Sequence, residues 1–313
     1  MSKVEMVRER FIMRIILLTL FLASCSQFKT TEVVEPMKAP EGSLKVAVVN
    51  YEITGNKSVD RVVRKIESFM IQAKNAGAKI LLVPELVTLD LFPTNPPDNQ
   101  VQSLIESVAG EHSTYETRLS AYAKKHEIML VGASSFVKKG RKFVNRAYVI
   151  FPDGKIKYQD KNYPTPWEVE HNVKKTSQLT KFEFNDFKFV VLICHDAEFP
   201  KLSHKLSRIK PEVIFVPSQT DDDYGLERVK RTSQARAVEH MAYVVMTGTS
   251  SVAGAPWHTY QGQNFLMTPQ NKYFAEPRNS GKKEVVSIFA LDLEALKKAR
   301  ADKKQIYPAR DEK

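Results

Sequence analysis

The stretch Leu44–Ile53, LKVAVVNYEI, is almost continuously apolar and rich in β-branched residues, the pattern of a strand buried on both faces. The period then changes. Val59, Val62, Val63, Ile66, Phe69 and Met70 recur at helical spacing within residues 58–78, and Gly77 supplies a C-terminal stop. KILLVPE, at 79–85, returns to strand character. Strand, helix, strand in this order predicts a parallel pair joined by a right-handed crossover. The alternation goes on with a helix at 114–127, a strand at 128–136 and a hairpin over 145–161 that turns at PDGK. It continues through a strand at 188–194, a short helix at 200–212, a strand at 213–218 and a long helix at 225–240. A strand at 242–250, a second hairpin at 264–277 and a last strand at 283–293 complete the series. The final twenty residues are strongly charged and are expected to wrap loosely or fray.

These elements predict one α/β domain over residues 44–293. Hairpins interrupt the βα alternation, so a simple doubly wound sheet fits poorly. A mixed sheet with helices on one face and a second sheet against the other fits better. Residues 1–24 read as a leader: Arg14 precedes the apolar run Ile15–Leu22, which is too short for the roughly twenty residues a bilayer requires. Met13 followed by Arg14 offers an alternative start. Residues 25–43 are polar and proline-bearing and read as a tether, and 294–313 as a charged tail.

Composition changes little. A hydrophobic fraction of 42% supports a sizeable core, and 27% charged residues is ordinary for a soluble protein. The formal net charge is +11; the leader holds four basic and two acidic residues, leaving +9 on the remainder. An anionic membrane surface would welcome that excess. The basic residues are nevertheless spread along the chain without a nucleic-acid-binding motif, so a solvated surface and no nucleic-acid partner are expected. There is no internal repeat and no metal-spaced Cys/His cluster, and neither a metal nor a cofactor is expected.

The chemistry is concentrated where strands end. Functional groups in α/β sheets collect at the carboxyl edges of strands. Here LLVPE ends at Glu85, IKYQDK at Lys161 and VVLIC at Cys194. Each has a structural reading: Glu85 capping a turn, Lys161 on a solvated edge, Cys194 as core filler, since free cysteine is among the most buried residue types. Their shared placement is what favours a site. Cys194 and Cys25 are the only cysteines. Tyr163 and Trp167 near Lys161, and Trp257 with His258 in a later loop, suggest a pocket, although Trp167 reads better as packing. Ser218 and Gln219, after the strand VIFVPS, are candidate substrate contacts by position.

In these segments the chain resembles the nitrilase superfamily of carbon–nitrogen hydrolases. Glu85 in LLVPEL, Lys161 in YQDKNYPTPWE and Cys194 in LICHDAEFP match its three motifs in order. Glu168 in TPWE matches a second glutamate that many members place near the lysine, with Glu170 as a competitor. The resemblance spans residues 44–293 and includes RAVEHMAYVV and the hairpin at 264–277. It implies a four-layer αββα sandwich, a Glu–Lys–Cys triad acting on a small amide or nitrile, and a homodimer or larger assembly. In that chemistry Glu85 is the base, Cys194 the nucleophile, and Lys161 with the His195 backbone N–H stabilises developing negative charge. His195 stands where an aromatic residue often follows the nucleophile, so the substrate class does not carry over. LASC, Leu22–Cys25, resembles the lipobox of bacterial lipoproteins, which implies cleavage before Cys25, a lipid anchor there and residence in the bacterial cell envelope. Ser26 after the lipid site suits outer-membrane sorting in a Gram-negative host.

Other readings stay open at this level. A cysteine protease would need His195, His204, His240 or His258 beside Cys194, yet none lies in a protease signature. A lipid-anchored binding protein on the same fold, or acyl transfer to an amine, uses the same residues.

Overall fold

Residues 32–34, 40–94, 96–251, 262–270, 274, 278–279 and 284–311 are described by the structure, a computed structural model. The leader, Cys25, most of the tether, the loop bearing Trp257 and His258, and much of the hairpin expected at 264–277 lie outside these residues.

The near-continuous apolar runs are strands with a buried residue on each face. In β2 (Leu44–Ile53), Val46 and Val48 enter one core while Ala47, Val49 and Tyr51 enter another. β3 (Ile80–Val83) and β4 (Met129–Lys139) divide the same way, Leu82 and Val131 to the first core and Leu81 and Leu130 to the second. Period-two alternation with both sets apolar means that this sheet is covered on both sides. Helices α1 (Val59–Asn75), α2 (Val101–Gly110) and α3 (His112–His126) cover one face through Val63, Ile66, Phe69, Ile105 and Leu119.

The other face meets a second sheet. The first sheet adds β5 (Lys142–Ile150), β6 (Ile156–Asp160) and β14 (Val285–Leu291), in the order β14-β2-β3-β4-β5-β6. The second contains β7 (Phe182–Phe184), β8 (Phe187–Val191), β9 (Val213–Pro217), β10 (Tyr243–Thr247), β12 (Phe265–Met267) and β13 (Arg278–Asn279), in the order β13-β12-β10-β9-β8-β7. Each sheet has three adjacent parallel strands, β2-β3-β4 and β8-β9-β10, flanked by antiparallel ones. Helices α5 (Pro200–Ile209) and α6 (Asp223–His240) share the second sheet's core through Leu202, Leu206, Leu226, Val229 and Ala237. The result is the four-layer αββα sandwich.

Several elements differ from the sequence reading. The strand expected at 242–250 divides at Gly248. β10 stays in the second sheet, while β11 (Thr249–Ser251) pairs in parallel with β2 of the first. The segment read as a charged tail begins with helix α7 (Leu293–Ala301), capped by Asp292 and burying Leu296 and Ala299. The exposed Lys297 and Lys298 masked that narrow apolar stripe. Arg300 fixes it by donating to the Met241, Pro211 and His240 carbonyls. Within the tether, β1 (Glu32–Val34) adds a parallel strand beside β14.

One irregularity lies next to the site. The β4–β5 pairing shifts register between Gly132 and Ser135, and Gly132 has φ +91°. A Cβ at Gly132 would run into the Val83 carbonyl. Beyond it, Ser134 Oγ accepts from Leu86 N at 2.8 Å, holding the turn that leaves β3. Gly132→Ala should therefore destabilise the fold by roughly 2 kcal/mol or more. Thermal denaturation should show a melting point lower by several degrees; an unchanged one would mean the bulge tolerates a side chain.

Candidate active site

Glu85 follows β3 across Pro84, and Leu86 takes φ +48°, so the chain turns sharply as soon as the carboxylate is presented. Lys161 follows β6 directly. Glu168 lies in the short helix α4 (Pro166–Glu170), where Thr165 Oγ accepts from Glu168 N and Glu168 Oε2 accepts from Thr165 N at 2.7 Å. This capping box locks both the helix and the glutamate side chain. Cys194 begins the turn after β8 with φ +48°, a left-handed conformation costly for a residue with a Cβ. The turn is held by Asp196 N donating to Ile193 O at 3.0 Å and Ile193 N donating to Asp196 Oδ2 at 3.2 Å.

Three predicted residues share one buried network. Lys161 Nζ donates to Glu85 Oε1 at 2.7 Å and to Glu168 Oε2 at 2.7 Å. All three side chains are at most 3% exposed, so the charges are paired in a dry interior. Asn145, fully buried on β5, completes the clamp: its Nδ2 donates to Glu85 Oε1 and to Glu168 Oε1, each at 2.8 Å. The backbone N–H of Gln219 donates to Glu85 Oε2 at 3.0 Å. The Cys194 thiol, also buried, donates to Gln219 O at 3.5 Å and interacts with the Glu85 carboxyl. Acid, ammonium and thiol thus meet in one environment.

The electrostatics follow from burial. Desolvation raises the Glu85 pKa, opposed by Lys161 and reinforced by Glu168. Burial acts on Glu168 the same way, but Lys161 and the donors from Thr165 and Asn145 outweigh it, and its pKa falls. Burial would neutralise Lys161; the charges of Glu168 and Glu85 overcome it and hold the lysine cationic. Burial and the Glu85 charge push the Cys194 thiol up, with Lys161 pulling the other way. The resting sulfur is therefore protonated beside a carboxylate that is itself harder to ionise than usual.

The remaining candidates sort clearly. Gln219 faces the site through both polar atoms of its backbone. The Ser218 hydroxyl is spent on Val216 O at 3.4 Å and its N–H on Thr247 O at 3.0 Å. His195 Nδ1 lies 3.2 Å from Tyr163 O, and its ring meets Phe199 edge-on at 4.8 Å, while Tyr163 stacks on Phe199 at 3.6 Å. These three rings form an aromatic shoulder beside the nucleophile. Glu170 is exposed, which leaves the second-glutamate position to Glu168. Trp167 contacts Phe136 and His171. His204 lies against Arg208 and His240 against Ser203, away from a protease-like pairing, and His258 is outside the described residues. Among the described residues no group of three His, Cys, Asp or Glu side chains is arranged to hold a metal.

Two residues escaped the sequence reading. Asn145 carried a signal, being an amide among the buried positions of a strand, beside Val144 and Ala147. Asp196 is fully buried and accepts from Asn162 N at 3.0 Å and Tyr163 N at 2.8 Å as well as from Ile193 N, tying the lysine turn to the cysteine turn. Burial pushes its pKa up to about 7 against the pull of Lys161 and these N–H groups.

Known proteins are similar to this chain in sequence and in fold. Residues 45–301 match the carbon–nitrogen hydrolase family. The probable hydrolase YhcX of Bacillus subtilis is 29% identical over 269 residues, which is 82% of this chain and 51% of that protein, so the chain spans about half the length of this relative. The 2-oxoglutaramate amidase of B. subtilis is 22% identical over 258 residues, covering 82% of this chain and 93% of the relative. An amidase from Nesterenkonia sp. superposes with a TM-score of 0.69 at 19% identity, over 85% of this chain and 97% of its own, and shares the fold. A cysteine mutant of the Nesterenkonia AN1 amidase, described as a member of the nitrilase superfamily, gives 0.68 at 18% identity over 85% and 98%. The family match covers nearly all of the folded region, and the chain belongs to the carbon–nitrogen hydrolase family.

Proposed function

We propose that the protein hydrolyses a small non-peptide amide through a thioester on Cys194, releasing ammonia or an amine. The observation that carries this reading is the convergence of Glu85, Lys161 and the Cys194 thiol in one buried network. The amidase names of several relatives, 2-oxoglutaramate amidase and an (R)-stereoselective amidase of Pseudomonas sp. among them, support an amide over a nitrile.

The hydrogen-bond inventory supports this division of roles. A carboxylate has about four lone-pair sites. On Glu85, Lys161, Asn145 and the Gln219 N–H occupy three, which leaves one for the proton of Cys194. Attack on the amide carbon passes that proton to Glu85, whose raised pKa makes it a competent acceptor. Lys161 has three N–H donors and spends two on Glu85 and Glu168. The third, with the His195 backbone N–H, stabilises the oxyanion, a contribution of about 3 kcal/mol per donor in other hydrolases. Glu85 then protonates the departing nitrogen, which leaves as the C–N bond breaks. It next takes a proton from water, which attacks the thioester and returns the thiol. Glu168 keeps the lysine charged and in place, and Tyr163 and His195 line the approach.

We also propose, from the lipobox-like LASC, that the mature protein begins at a lipidated Cys25 and resides in the cell envelope. Intact-mass analysis of membrane-extracted protein should show a lipid-modified Cys25 terminus, and an unmodified Met1 or Met13 terminus on soluble protein would refute the anchor.

Cys194→Ala should lower turnover by at least about a thousandfold while the melting temperature stays close to that of the parent, measured as ammonia release across an amide and nitrile panel. Residual turnover near the parent's would exclude the covalent route. Activity should fall at low pH through an apparent pKa above the ordinary glutamate value, because Glu85 must be ionised to take the proton and burial raises its pKa. Asn145→Ala removes a donor that favours the ionised form. It should move that acid limb to higher pH and cut kcat by roughly ten- to a hundredfold. An unmoved acid limb would show that the amide is structural only.

A further inference from the structure

Outside the catalytic centre the edge of the first sheet carries a polar groove of about 710 Å³. β6 forms one wall. The other is the segment Lys174–Thr180, laced along β6 by Thr176 Oγ1 to Asp160 O (3.1 Å) and Lys161 O (3.0 Å), and by Gln159 Nε2 to Gln178 O (2.8 Å). None of Glu85, Lys161, Glu168 or Cys194 lines this groove.

Its charge is one-sided. Lys139, Arg146, Lys157, Lys174 and Lys175 line it against a single acid, Asp160. That carboxylate is already engaged, by the Arg146 fork at 2.7 and 3.1 Å and by Lys139 at 3.2 Å. None of the other three ammonium groups makes an ion pair within 4 Å among the described residues, and only Lys157 is near enough to a carboxylate, Glu183, to help lower its pKa. Lys174 Nζ donates to Lys139 O at 3.2 Å, Lys175 lies over the Tyr163 ring at 4.3 Å, and Lys157 lies 5.5 Å from the Phe151 ring centre. A concavity lined by one sign of charge focuses its field into the cleft. Like charges gathered there repel one another, and an anion bound in the cleft would relieve that repulsion.

We propose that this groove binds a multiply charged anion of the phosphate-ester class. Phosphate suits it better than a carboxylate: the planar guanidinium that would grip a carboxylate in bidentate fashion is committed to Asp160, and what remains are three ammonium point charges set around a concave space. Hydroxyl and amide groups of the lacing segment, such as Ser177 and Gln178, suit the polar body that carries the phosphate. A soluble ester and a lipid headgroup both carry such a phosphate, and the two sources separate experimentally.

The test titrates the full-length protein with pyrophosphate by calorimetry and, in parallel, sediments it with phosphatidylglycerol or phosphatidylcholine vesicles. The parent is compared with Lys157→Gln/Lys174→Gln/Lys175→Gln, and with a control of equal charge loss at the exposed Lys201, Lys298 and Lys304. The groove variant should lose pyrophosphate affinity by at least about tenfold, with the control within about twofold. A loss confined to phosphatidylglycerol vesicles, without pyrophosphate binding by the parent, would equally support the site and identify a lipid source. Equal behaviour of the two triple variants with both probes, or no binding of either probe by the parent, would overturn the proposal.

Discussion

Everything in this molecule is arranged around a lysine ammonium buried between two carboxylates. An isolated charge in a dry interior would lose its proton, so Lys161 keeps its charge only because Glu85 and Glu168 each lie 2.7 Å away. The trio is one negative charge in excess, and Asn145 and the Gln219 N–H spread that excess over fixed donors. Such a network tolerates little movement in any member. The surrounding elements are correspondingly over-determined: a capping box around Glu168, a register shift beside Glu85, and an aspartate linking the lysine and cysteine turns.

The two sheets divide the labour. Glu85, Asn145, Lys161 and Glu168 all come from the first sheet or the segments that leave it, whereas Cys194, Asp196 and Gln219 come from the ends of β8 and β9 in the second. The sulfur therefore reaches its carboxylate only when the sheets pack at the right separation. Hydrogen bonds cross that joint at the site itself, from Gln219 N to Glu85 and from Asn162 and Tyr163 N to Asp196. β11, leaving the second sheet to pair with β2, ties the joint again a short distance away. The geometry of the candidate site is thus a property of the whole sandwich core and not of a loop.

Much of this was legible in the residues. Strands buried on both faces announce themselves by continuous apolar runs, and a Glu and a Cys at the ends of such runs, with a Lys at the end of the polar strand IKYQDK, marked the candidate site. What stayed hidden depends on tertiary context. Asp196 sits in a turn where an aspartate is ordinary, and only folding shows it capped by backbone N–H groups from two segments. Gln219 acts through its main chain, where side-chain identity leaves no trace. The α7 stripe of Leu296 and Ala299 was masked by the lysines around it, and the division of 242–250 at Gly248 depends on which sheet has a free neighbour. Ser218 looked like a contact because it follows a strand end, but its hydroxyl turns back onto its own backbone.

The protonated state of the buried sulfur has a consequence for durability. Oxidants and alkylating agents react with thiolates that solvent can reach, and Cys194 is 4% exposed with its pKa pushed up. Peroxide would find little to attack in the resting protein, and a passing disulfide would find no accessible partner. In the proposed reaction the thiol is unmasked only while a substrate carbon stands in front of it, when its proton can pass to Glu85. On that proposal, chemical endurance and catalytic timing come from the same placement of one hydrogen.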